Sequence, residues 1–202
     1  MNRDRQRGKY NRKSKRVILV SYEGNNKTER YYFDSFKGID KNYTIKTVPG
    51  NETDPVSLVK QTINKVKELR LDLSKDDKAY CIFDTDIDLK KNVQIRKAIE
   101  LGKLNNICII TSSPCIEFWF LIHYEYTTKY LTNNDAIKRL KEYYSDYSKN
   151  CNMYSILYSK LNTAIENAKK LEKFHLSNNI SIQTVEANPH TDVYLIVEEL
   201  SK

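Results

Sequence analysis

The chain has 202 residues, of which 40% are hydrophobic and 30% charged, with a formal net charge of +8. That is enough apolar material for one sizeable core with an appendage, and it excludes a wholly disordered chain. It also argues against a membrane or structural-zinc protein. The longest apolar run, Cys115 to Ile122, is interrupted by Glu117, no secretory segment follows the basic start, and the four cysteines and three histidines lack zinc-ligand spacing. The expectation is a reduced, cytoplasmic protein.

Residues 1–16 read as a basic arm. Arg3, Arg5, Arg7, Lys9, Arg12, Lys13, Lys15 and Arg16 stand against Asp4 alone, which places +7 of the net charge here and leaves +1 for the body. Such an arm is expected to be flexible and to meet a polyanion through phosphate contacts that weaken with salt. Arg12, Lys13, Lys15 and Arg16 are its nucleic-acid-binding candidates, and a solubilising tail would account for the same charges.

Val17-Ile18-Leu19-Val20 is apolar throughout, as a strand covered on both faces requires. It runs into a Gly/Asn-rich turn, so Glu23 falls at a strand's carboxyl end. The next helix turns Tyr32, Phe33 and Phe36 inward. Lys27, in the turn, is a candidate phosphate contact, but no P-loop is present: Asn26 and Ser21 stand where that motif needs glycines. Tyr43 to Val48 alternates as an edge strand does. Asp54-Pro55 then opens a helix as N-cap and first helical residue, with Val56, Val59, Ile63, Val66 and Leu69 as its stripe.

The third strand, from Tyr80, ends in Asp84, Asp86 and Asp88; a helix from Lys91 to Leu101 leads to a fourth, Asn106 to Thr111. Strands alternating with helices at this spacing indicate parallel βαβ units. Cys81 and Cys108, inside apolar strands, are expected to act as small buried hydrophobes. The helix after Pro114, Cys115 to Tyr124, is apolar on nearly all sides and should be buried. Glu117 is therefore its odd residue, since a buried carboxylate must be neutral, paired or metal-bound. The remainder reads as helices, with stripes at Ile137, Leu140 and Tyr144, at Leu157, Leu161, Ile165, Ala168 and Leu171, and at Val193, Ile196, Val197 and Leu200. The fold class is α/β: a Rossmann-like parallel sheet of about four strands flanked by helices over residues 17–125, with a helical extension over 126–202.

In a strand every second side chain shares a face, so Asp84 and Asp86 are expected to project together at the strand end, where open α/β sheets bind ligands. Two such charges call for a proton or a hard divalent cation. A calcium loop is excluded, because Leu89 and Ile95 occupy the positions of its Gly and bidentate Glu. A sugar transferase, a phosphatase with a nucleophilic Asp and a solvated turn are the other readings of the pair.

A Glu after the first strand and D-x-D after the third resemble the Toprim domain of topoisomerases, primases and related nucleases. More specifically, the sequence resembles the RloB family, also seen as the second protein of the AbiL abortive-infection pair. The resemblance is carried by Tyr22-Glu23-Gly24 through Lys27-Thr28-Glu29 with Tyr32-Phe33, by Phe83-Asp84-Thr85-Asp86, by Ser113 through Trp119 and on to His123, and by Asn188-Pro189-His190-Thr191. Ser113 departs from the family pattern, which has Asn before the Pro. Tyr158 and Lys160 match a Tyr-x-Lys of the family's helical part. The resemblance implies a Toprim-like core and an Mg²⁺- or Mn²⁺-dependent nuclease acting on RNA, tRNA included, or DNA as an effector of antiphage defence, with an AAA/ABC-type ATPase partner and a possible homo-oligomer. It makes Asp84 and Asp86 metal ligands and Glu23 both ligand and general acid/base. By analogy with OLD-class nucleases, Glu117 and Lys160 become a second-metal ligand and a phosphate stabiliser. A catalytically silent module that binds nucleic acid or a partner is the competing expectation.

Overall fold

The first four strand segments are parallel strands, and the segment after each becomes a covering helix. In the computed structural model, which describes residues 15–24, 27–38, 40–51 and 54–201, these are β1 (Arg16–Tyr22), α1 (Lys27–Asp34), β2 (Tyr43–Pro49), α2 (Pro55–Glu68), β3 (Lys78–Asp84), α3 (Lys91–Leu104) and β4 (Ile107–Ser113). Then follow α4 (Ile116–Leu121), α5 (Asn133–Tyr143), α6 (Met153–Leu157), α7 (Leu161–Ser177), β5 (His190–Thr191) and α8 (Val193–Leu200). The strand order is β2-β1-β3-β4-β5. Asp54 caps α2 as its sequence indicated, accepting from the Ser57 N–H at 2.8 Å.

Strand alternation sorts the core into two layers. Ile18, Val20, Tyr80 and Ile82 face α1, α4 and the later helices, whereas Leu19, Ala79, Cys81 and Phe83 face α2 and α3. Covering on both faces explains why these runs contain no polar alternation. Cys81 is buried as expected; Cys108, at the amino end of β4, is exposed instead.

Two expectations are corrected here. The sheet has five strands, not about four, because Thr191 and His190 pair antiparallel with Ser112 and Ser113. The region beyond residue 126 is thus not purely helical. Arg16 is not part of a free arm: it opens β1, and its guanidinium pairs with the buried Glu199 at 2.5 Å. The arm residues Arg12 and Lys13 lie outside the described residues. Lys15, exposed, immediately precedes β1.

Candidate active site

The chain winds from β1 outward to β2 in one direction and through β3 to β4 in the other. The carboxyl ends of β1 and β3 therefore flank a topological switch point, where open α/β sheets take ligands. Parallel register decides what stands there. Tyr22 pairs with Ile82, and Asp84 with Ser112, so Glu23 and Asp84 leave adjacent strands at nearly the same height.

Asp86 reaches this rim by a route other than strand alternation. β3 ends at Asp84, and Asp86 takes a left-handed backbone with φ 51°, a conformation Asp tolerates through local polar bonding. The Thr85 and Asp86 N–H groups donate to the Ser112 and Pro114 carbonyls at 2.9 and 3.1 Å, so the exit of β3 leans on that of β4. Both oxygens of Asp86 are engaged. Lys91 ion-pairs with one, and the Asn133 amide donates to the other at 3.0 Å. The Asn-Pro-His-Thr motif supports that contact from behind. The Asn188 side chain accepts from the Leu131 N–H at 3.0 Å and donates to the Leu131 carbonyl at 2.8 Å, fixing the chain two residues before Asn133.

Two further carboxylates face Asp84 from the helices. Glu117, in the first turn of α4, is 3% exposed, and Glu29, in the first turn of α1, is 4% exposed. Packing brings their helices together: one turn beyond Glu29, the Tyr32 hydroxyl accepts from the Trp119 indole N–H at 2.9 Å. Burial raises the Asp84 carboxyl well above its ordinary range, and Glu29, Glu117, Glu23 and Asp86 add to it. Burial also pushes Glu29 up to about 7, with Glu117 and Glu23 raising it and Lys149 opposing them. Glu29 Oε2 is buried with no hydrogen-bond partner. Burial raises Glu23 as well, while Lys91 and the Asp84 backbone hold it down against Asp86.

Five carboxylates therefore feel one another's charge along one rim. Glu23, Asp84, Asp86 and Glu117 were singled out in the sequence, and Glu29 was not. Among the described residues no three His, Cys, Asp or Glu side chains already stand together at metal-ligating positions. The donor set nonetheless suits a hard divalent cation. It is all oxygen, carries mutual repulsion that a cation would relieve, and includes one buried carboxylate oxygen with nothing bound to it. Lys27, the exposed first residue of α1, lies beside this rim. Lys160 is directed elsewhere: it stands 5.2 Å over the Tyr124 ring, and its charge bears on the buried His123.

Glu117 is held in place by a residue thirty positions away: the Tyr147 hydroxyl donates to it at 2.8 Å in a buried setting. The same loop is tied to α1, where Thr28 Oγ1 donates to the Lys149 carbonyl at 2.6 Å. Tyr147→Phe, which deletes only that hydroxyl, is expected to cost about 1.5–3 kcal/mol, the range for a hydrogen bond to a charged group. A urea midpoint unchanged from the parent would remove Tyr147 from this role.

A family model described as RloB-like protein matches residues 18–200. No curated protein matches the chain. No solved structure matches it either.

Proposed function

The chain belongs to the RloB-like family, and from that premise we propose that the carboxylate rim is the active centre of a divalent-cation-dependent nuclease. The single observation that carries this reading is the strand register that sets Glu23 and Asp84 at adjacent strand ends, with Asp86, Glu29 and Glu117 near enough for their charges to raise the Asp84 carboxyl. Magnesium or manganese at such a site neutralises phosphate charge and lowers the pKa of a bound water. Asp84 and Asp86 are the residues to hold it, with Glu117 and Glu29 as further oxygen donors. Glu23, largely shielded from solvent and raised above the ordinary carboxylate range, is suited to holding the proton of an attacking water. Lys27 and Lys149, both exposed near the first turn of α1, are placed to take phosphate oxygens of an RNA, tRNA included, or of DNA. An antiphage role under an AAA/ABC-type ATPase extends this reading by family resemblance.

Purified protein is to be incubated with labelled tRNA, other RNA and DNA, with Mg²⁺, Mn²⁺ or a chelator, beside Glu23→Ala and Asp84→Ala. Cleavage that needs the cation and is lost in both variants is expected; cleavage that persists in either one sinks the site. If the parent is inactive alone, the assay is repeated with the ATPase. The full engagement of Asp86 by Lys91 and Asn133 favours a second reading, a catalytically silent binding module. That module predicts no thermal response to millimolar Mg²⁺, whereas a working cation site gains stability by binding linkage.

A further inference from the structure

We propose that Lys91 is the resident counter-ion of the carboxylate rim, its ammonium standing at Asp86 in competition with the divalent cation and so setting the concentration at which the site loads. This rests on the reading of the rim as a cation site.

Lys91 ion-pairs with Asp86, and the two side chains are 24% and 39% exposed, so the contact is partly shielded from water. The ammonium also acts on the rest of the rim. Burial disfavours its charge, yet the Asp86 hydrogen bond and the charges of Asp86, Glu23 and Asp84 outweigh that and raise it. One cation thus serves three carboxylates on two strand ends.

Its place in the helix is the second, independent observation. Lys91 is the first residue of α3; the Lys90 side chain before it makes no cap, the Lys90 N–H being taken by the Asp88 carboxylate at 3.0 Å, and no acid stands in the first turn itself. A cation there opposes the helix dipole, which favours anions at the amino end. Asp88 meets the need of this helix end for an anion, and two adjacent lysines add nothing to it. Lys90 is exposed, and Lys91 is turned into the rim. A local rule broken at this spot is explained by a demand from elsewhere, and the carboxylates supply it. The left-handed turn at Asp86 presents the carboxylate to the following helix start. The residue type fits as well, since an ammonium is a compact, hydrated point charge on a flexible stem that can give way to a metal ion.

The test is direct cation binding, read by electron paramagnetic resonance of Mn²⁺ and by calorimetry with Mg²⁺, for the parent, Lys91→Met and Lys90→Met. Lys91→Met is expected to bind about tenfold more tightly or better, the scale of one contacting like charge removed near a surface. Lys90→Met, which changes net charge equally, is expected to match the parent. If the parent binds and Lys91→Met binds no tighter, or if Lys90→Met gains as much, Lys91 is not the competitor although the cation site stands. If neither the parent nor Lys91→Met binds a cation, the rim reading fails and this inference with it. Should Lys91→Met fail to fold, amine labelling of the parent decides. Labelling of Lys91, located by mass spectrometry, should rise when Mg²⁺ is added. Labelling that stays constant while Mg²⁺ is bound overturns the proposal.

Discussion

Asp84→Asn is expected to stabilise the cation-free protein while removing its response to magnesium. Asparagine keeps the shape of the side chain and deletes a charge that burial disfavours and that four neighbouring carboxylates repel. Each kcal/mol relieved should raise the melting midpoint by about 2–4 °C for a chain of this length. In chelator, the variant should therefore melt above the parent. In the parent, Mg²⁺ at a hundred times its dissociation constant should add about 2.7 kcal/mol, and in Asp84→Asn that increment should vanish. Cleavage should fall by at least about a hundredfold, since even supporting residues of metal sites are worth 10–100-fold. Scanning calorimetry with and without Mg²⁺ measures the first two effects. A variant that melts below the parent in chelator would mean that Asp84 is not under the strain described.

The second large effect belongs to Glu29 and is read by pH. The folded protein holds this proton up to about 7, whereas the unfolded chain releases it near the ordinary 4.5. Between those values the folded state binds more protons than the unfolded one, so stability falls as pH rises through the window and is lowest above it. At one pKa unit per 1.36 kcal/mol, the cost at pH 8 amounts to about 3 kcal/mol. Glu29→Gln is expected to flatten this slope in chelator and to recover up to that amount at pH 8. Denaturant midpoints at pH 5 and pH 8 decide the matter, and a slope as steep in the variant as in the parent would clear Glu29 of responsibility.

What the sequence disclosed, and what it hid, follows from the range of the forces involved. The inner parallel strands were readable because a strand covered on both faces has nothing polar in it, as in Val17 to Val20 and Cys81 to Phe83, and the edge strand β2 because Tyr43 to Val48 alternates. Glu117 was visible for the converse reason: a lone carboxylate in an apolar helix must be matched by something. Glu29 was invisible because Lys27-Thr28-Glu29-Arg30 resembles any solvated first turn, and its burial comes from α4, far away in the chain. The Asp84–Asp86 spacing suggested strand alternation, but pairing stops at Asp84, and the second aspartate returns to the rim only by a left-handed turn braced on β4. Tyr147 and Asn133 act through contacts across 30 and 47 residues; no periodicity encodes those. β5, two residues long, is too short to carry a pattern at all.

Arg16 is locked to Glu199 at the amino end of β1, and the seven residues of that strand separate it from the rim by about 20 Å at strand rise. The sheet therefore has a front and a back, with the Arg16–Glu199 pair at the rear and the carboxylates at the front. A probe attached at the exposed Lys15, beside that pair, sits a strand's length from the carboxylates and leaves the front of the sheet uncovered.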